Sequence, residues 1–199
     1  LQVLEDHQGV DIALYNEGVY ALHNLLSSNL TDEDVMKIHG IGHKLNGKPM
    51  LNAPEKVVPQ ERMDIDLPGY AWDLLPYDKK PLDLYRSHFW HTEYNHEKRT
   101  PFAAVYTSLG CRFKCDFCMI NIVNRDSDTP DTVSAHSSHM RYWSPEFMLK
   151  EFDKLAEMGT ETIRISDEMF FLDKRYYEPL LNGLIERDYP IRTWSYARV

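Results

Sequence analysis

After Pro101 the chain alternates between segments of strand character and segments of helix character, and this alternation constrains the fold more than any other feature. The apolar, β-rich run "FAAVYTS" spans 102–108. Ser144-Pro145 then supplies an N-cap followed by proline at the first helical position, and a helix is expected through Met148, Phe152 and Leu155 to a stop at Gly159. "TIRIS" predicts a second strand ending at Asp167 and Glu168. Asp173 can cap the next helix, whose face is Tyr177, Leu180, Leu181 and Leu184, and "IRTWSYA" predicts a third strand after Pro190. Repeated β–α units with right-handed crossovers lie side by side as parallel strands, with the loops at their C-terminal ends on one rim. Cys111, Cys115, Cys118, Asp167, Glu168 and Arg198 are all expected on that rim.

Before Pro101 the pattern is different. Residues 10–27, "VDIALYNEGVYALHNLLS", predict a strand, a polar turn at Asn16-Glu17-Gly18, and a helix through Tyr20, Leu22, Leu25 and Leu26, one unit of an α/β domain. Residues 38–52 predict a hairpin turning at Asn46-Gly47, a dipeptide suited to positive φ at both turn positions. From Pro54 to Pro101 there are six prolines and no sustained period. Trp72, Phe89 and Trp90 are too apolar for a free linker, so an ordered connector is expected there. The expected divisions are therefore 1–53, 54–100 and 101–199.

Composition excludes several function classes. With 43% apolar and 27% charged residues, the chain can bury a core. No apolar run approaches the roughly 18–20 residues that cross a bilayer. The start "LQVLEDHQG" has neither the basic beginning nor the apolar centre of a signal peptide, so the expected location is the cytoplasm, with no membrane span. An excess of 31 acidic over 22 basic side chains, net −9, argues against nucleic acid as the main partner. The first residue is Leu rather than Met, and the chain is expected to begin inside a longer protein.

All three cysteines fall within "TSLGCRFKCDFCMINI", directly after the first of the parallel strands. An odd number of closely spaced cysteines in a reducing compartment points to metal or redox chemistry rather than to a disulfide framework. Three thiolates from one short loop can ligate three irons of a [4Fe–4S] cluster and leave the fourth iron open to a ligand. Two other readings exist. Structural zinc would recruit His136 or His139 of "AHSSH" as fourth ligand, although those histidines also fit a surface insertion or a substrate-facing lid. A ferredoxin-like electron carrier would use a different spacing and a fourth cysteine.

The Cys-x3-Cys-x2-Cys spacing, with Phe117 just before the last cysteine in "CRFKCDFC", resembles the radical S-adenosylmethionine (SAM) superfamily. The resemblance extends to "RYWSPEFMLKEFDKLAEMG" as the first barrel helix, "IRISDEMFF" as the second strand with its acidic end, and "IRTWSYARV" as the third. In the N-terminal half, "VDIALYNEGVYALHNLL", the hairpin and "IDLPGYAWDLLP" are similar to the join between cobalamin-binding and radical SAM domains. The implied fold class is α/β. It comprises a partial TIM-like (β/α) barrel of radical SAM type, preceded by the C-terminal end of a Rossmann-like cobalamin-binding-type domain. "EDHQG" places Asp6 and His7 side by side, so any Asp-x-His-x-x-Gly cobalamin motif is expected before residue 1.

What the resemblance implies is an enzyme. A [4Fe–4S] cluster held by Cys111, Cys115 and Cys118 binds SAM at its open iron and cleaves it reductively, starting radical chemistry on a small-molecule or modified-macromolecule substrate. Methyl transfer, cyclisation and other radical rearrangements all fit this architecture. The resemblance also implies an electron donor such as flavodoxin or ferredoxin, and it leaves the cobalamin cofactor open. Phe117 would line the adenine pocket, Asp167 or Glu168 would accept from the SAM amino group, and Arg198 would meet its carboxylate or ribose. Against these stand core filling for Phe117, a solvated strand end for the acids and a surface ion pair for Arg198. Further β/α units are expected beyond residue 199, and the chain by itself is expected to be inactive.

Overall fold

In the computed structural model, residues 1–77, 100–113, 115, 118 and 140–197 are described. Phe89, Trp90, Phe117, His136, His139 and Arg198, which the sequence reading singles out, lie outside them. The chain divides into two units, Leu1–Arg62 with Gly110–Met140, and Met63–Leu109 with Arg141–Val199.

The first unit contains α1 (Gln2–Asp6), β1 (Ile12–Leu14), α2 (Val19–Leu26), α3 (Asp32–Val35), β2 (Ile41–Leu45) and β3 (Lys48–Leu51). Asn46 and Gly47 have φ of 53° and 75°, and this two-residue turn folds β3 back on β2 with Leu45 opposite Lys48. β1 also runs antiparallel to β2, Ala13 opposite Gly42, so the sheet order is β1-β2-β3. Among the described residues, segment 1–53 thus forms an antiparallel three-stranded sheet that contains the expected hairpin at Asn46-Gly47. The connection through α2 and α3 returns the chain against β1 in the opposite sense, and the Tyr15 amide donates to the Gly40 carbonyl at 3.0 Å.

Ala21, Leu25, Val35, Ile38 and Ile41 make the core of this unit, with Ile12 against them. Asn52 closes it. Its amide nitrogen donates to the carbonyls of Val35 and Ile38, each at 2.7 Å, and its Oδ1 lies 3.1 Å from His43 Nε2. One short side chain thus ties the C-terminal residue of α3 to the segment that leads into β2.

The second unit contains α4 (Met63–Asp66), β4 (Phe102–Val105), β5 (Ser108–Leu109), β6 (Arg141–Tyr142), α5 (Pro145–Glu157), β7 (Thr162–Ile165), α6 (Lys174–Arg187) and β8 (Arg192–Ser195). β4, β7 and β8 form a parallel sheet in that order, with Val105 level with Ile165 and Ser195. The "FAAVYTS" strand breaks after Val105, and Ser108–Leu109 turns away to pair antiparallel with Arg141–Tyr142. Three parallel strands among the described residues make an open sheet rather than a closed barrel.

Local signals set the helices of this unit. Ser144 caps α5 by accepting from the Phe147 amide at 3.1 Å, Pro145 occupies the first turn, and Gly159 follows the helix with φ 78°. Met148, Phe152 and Leu155 are buried along one face, each worth roughly 1.5–3 kcal/mol of apolar burial. Asp173 caps α6 through the Arg175 amide at 3.0 Å. α6 then buries Tyr176, Leu180 and Gly183.

Residues 63–77, expected within a separate connector, belong to this second unit. Trp72 Nε1 donates to Glu151 Oε2 at 3.1 Å, Trp143 Nε1 donates to the Leu67 carbonyl at 2.8 Å, and Asp64 accepts from the Ser144 amide at 2.8 Å. Glu151, 1% exposed, is matched by Lys154 as well as by Trp72. Gly69 lets the connector approach it, since a Cβ there would come 2.9 Å from the Glu151 carboxyl carbon. Among the described residues no helix is long and apolar enough to cross a membrane.

Candidate functional site

Parallel β–α sheets place their chemistry beyond the C-terminal ends of the strands. In the second unit that edge is occupied by Tyr106–Ser108 after β4 and by Ser166–Glu168 after β7. Asp167 is completely buried and turned inward. Its Oδ1 accepts from the Thr107 amide at 2.6 Å, and its Oδ2 accepts from Thr107 Oγ1 and Ser108 Oγ, each at 2.6 Å. The Thr107 carbonyl in turn accepts from the Tyr176 hydroxyl at 2.9 Å and from the Trp143 amide at 3.2 Å. The Tyr142 ring lies against that of Tyr176, centroids 4.4 Å apart.

Burial raises the Asp167 carboxyl above the ordinary carboxylate range, and the donors of Thr107 and Ser108 oppose that rise. Burial also raises Tyr176, whose hydroxyl stays a donor at neutral pH. Asp167 is thus a tie between two strand ends. Both Asp167 carboxylate oxygens accept hydrogen bonds within the chain.

Glu168 differs from its neighbour. It is half-buried, and its carboxyl is raised first by burial and then by Asp167, while Arg164 pulls it down. Side chains alternate along a strand, so Ile163 and Ile165 enter the buried layer and Arg164 projects from the other face. Ala104, Arg164 and Trp194 stand level across β4, β7 and β8 on that face. The Arg164 guanidinium lies 4.9 Å from the Trp194 ring centroid and 5.1 Å from that of Tyr196, and its Nη2 donates to Tyr196 Oη at 2.7 Å.

The three cysteines fall in the first unit. All are free thiols, with Cys111 and Cys118 half-buried and Cys115 exposed. The Cys118 amide donates to the Cys115 carbonyl at 3.0 Å. Among the described residues no three His, Cys, Asp or Glu side chains are gathered at metal-binding distance. The donor set itself suits an iron–sulfur cluster: three uncommitted thiols, none fully buried, close together in sequence.

Thr107, Ser108, Tyr176, Arg164, Trp194 and Tyr196 were not foreseen as parts of this edge. Two signals were present. A hydroxyl pair ends the first strand in "YTS", and the alternation in "IRIS" and "TWSY" puts Arg164, Trp194 and Tyr196 on a common face.

No family model matches the chain. It is 28% identical over 167 residues to the uncharacterized methyltransferase PH0819 of Pyrococcus horikoshii, covering 83% of this chain and 30% of that protein. Its fold is similar to that of OxsB, a cobalamin-dependent SAM radical enzyme solved with aqua-cobalamin and SAM bound, with a TM-score of 0.61 and 20% identity. That likeness covers 96% of this chain and 23% of OxsB. The chain therefore spans less than a third of the length of either protein.

Proposed function

We propose that this chain is the cluster-carrying part of a radical SAM enzyme of the cobalamin-associated type, with methyl transfer as the favoured reaction of the complete protein. The observation that carries the proposal is the run of three free thiols, Cys111, Cys115 and Cys118, on the loop that leaves β5 just beyond a parallel strand. The fold similarity to OxsB and the sequence similarity to PH0819 support the same reading. In it, β4, β7 and β8 are the first strands of a TIM-like barrel that further β/α units complete.

Cys111, Cys115 and Cys118 would hold a [4Fe–4S] cluster, which when reduced supplies the electron that cleaves SAM. The chain's own residues bind and orient. Glu168, half-buried at the end of β7, would accept from the SAM amino group. Asp167 holds the strand ends beneath it through Thr107 and Ser108. By the resemblance, Phe117 would line the adenine side, and Arg198 would meet the carboxylate or ribose.

Anaerobic reconstitution of the complete protein tests the reading. It should bind about four irons per chain. Cys111→Ala, Cys115→Ala and Cys118→Ala should each abolish the cluster, whereas His136→Ala and His139→Ala should not. Recovery of one zinc and no iron-bearing form would replace the enzyme by a structural zinc module. Retention of hydroxocobalamin through gel filtration tests the cobalamin part separately, and its failure removes methyl transfer while leaving the cluster in place.

A further inference from the structure

Arg164 is an unusual residue for the centre of a parallel sheet. It stands level with Ala104 on one side and Trp194 on the other, in the middle strand of the described three. A guanidinium has five N–H donors in a rigid fork. Among the described residues a single hydrogen bond is made, to the Tyr196 hydroxyl. Nε is buried and has no hydrogen-bond partner, and among the described residues no carboxylate forms an ion pair with Arg164.

The group is nevertheless held. Trp194 and Tyr196 pack edge to face, centroids 5.8 Å apart, and both rings lie within cation–π range of the guanidinium. Two aromatic contacts and one hydrogen bond orient the fork without neutralising it. Ala104 beside it is exposed, which leaves space on the face where a larger side chain would fill it. A structural arginine on a sheet is normally matched by an acid. This one is positioned by rings; Glu168 is near enough to feel its charge but, among the described residues, forms no ion pair with it, so most of the donors stay uncommitted.

We infer that Arg164, oriented by Trp194 and Tyr196, is a binding site for the oxyanion, carboxylate or phosphate, of an anionic small-molecule substrate on the open face of the β4-β7-β8 sheet. The inference rests on the proposed enzyme for the word substrate, but the oxyanion site itself does not need the cluster. Bidentate pairing with a carboxylate or phosphate matches the fork and gives strong, charge-assisted hydrogen bonds. Tyr106 and Glu168 lie near Arg164 at the strand ends, so an anion held at Arg164 is close to the acid that, in the proposed function, would accept from SAM.

Titration of the complete protein with inorganic phosphate and with acetate, followed by 31P line broadening and by Trp fluorescence, tests the site. Wild type should show saturable binding of at least one anion, with a fluorescence change that Trp194→Phe removes. Arg164→Gln should weaken binding at least tenfold, and Arg164→Lys should weaken it several-fold, because the charge remains and the fork is lost. Tyr196→Phe, which keeps the ring and drops the hydroxyl, should weaken it less than Arg164→Gln and guards against misreading a folding defect. Iron content and SAM affinity should be unchanged in all four variants. Equal anion binding by wild type and Arg164→Gln, or no saturable binding to wild type, would overturn the inference. Loss of SAM affinity in Arg164→Gln would overturn it too, by assigning the anion to SAM. A protein that binds no iron yet binds phosphate through Arg164 would sink the proposed enzyme and leave this site standing.

Discussion

Asp167 accepts both the amide and the hydroxyl of Thr107 at 2.6 Å, so a carboxylate after β7 holds the backbone just beyond β4. Ser108 adds a third donor, and Tyr176 fastens the Thr107 carbonyl from α6. Elements more than 50 residues apart in sequence meet at one residue, and the loop that carries the cysteines departs from it.

Asp167→Asn should therefore behave as a structural lesion. The amide keeps the shape but turns an N–H₂ toward donors, leaving at least one of them unsatisfied in a buried place. A loss of about 2–4 kcal/mol is expected, read from the urea midpoint of unfolding. A midpoint equal to wild type, together with weaker SAM binding, would return Asp167 to the role of a ligand contact.

Glu168→Gln should give the opposite pattern. Among the described residues its half-buried carboxyl makes no hydrogen bonds like those of Asp167, so stability should change little, while SAM affinity falls roughly tenfold to a hundredfold through loss of a charge-assisted hydrogen bond. Isothermal titration of the reconstituted protein decides it, and an unchanged dissociation constant places Glu168 among solvated strand ends.

The alkaline limb of stability should report on Tyr70. Burial pushes its phenol from 10.0 up to about 12, although the Tyr106 amide that donates to its oxygen works in the other direction. The unfolded chain releases this proton first, so Tyr70's contribution to stability is fully present below the ordinary tyrosine value and is lost as pH rises from there to about 12, while Tyr176, raised further by burial, continues the fall beyond. The contribution is about 2–3 kcal/mol. Tyr70→Phe should flatten this limb, and an identical alkaline profile in the variant would show that Tyr70 does not cause it.

Two glycines separate backbone strain from lost space. Gly159 has φ 78° with open space where a methyl would stand, whereas Gly69 has φ 90° and a methyl there would reach within 2.9 Å of Glu151. Gly159→Ala should cost about 1 kcal/mol from the left-handed backbone, and Gly69→Ala about 2–4 kcal/mol because crowding against a buried, hydrogen-bonded carboxylate is added. Thermal melts of the two variants measure the difference, and equal losses would mean that the segment around Gly69 moves aside freely.

What was legible in the sequence was local. Asn46-Gly47 specifies its hairpin because few residues tolerate positive φ at both turn positions, and Ser144-Pro145 and Asp173 specify helix starts because their side chains answer backbone amides two or three residues away. The β–α–β–α–β order after Pro101 was readable for the same reason, since period and punctuation act over a few residues. So was the close spacing of three thiols. The tertiary structure alone decided which partners these elements found. It tied Trp72 to Glu151, 79 positions away, and so drew residues 63–77 into the second unit. It laid β1 antiparallel to β2, spent the Asp167 carboxylate on Thr107 and Ser108, and left Arg164 over two rings with donors to spare. The physical reason is that a buried polar atom must find its match wherever the packed chain offers one, and sequence distance places no limit on that search.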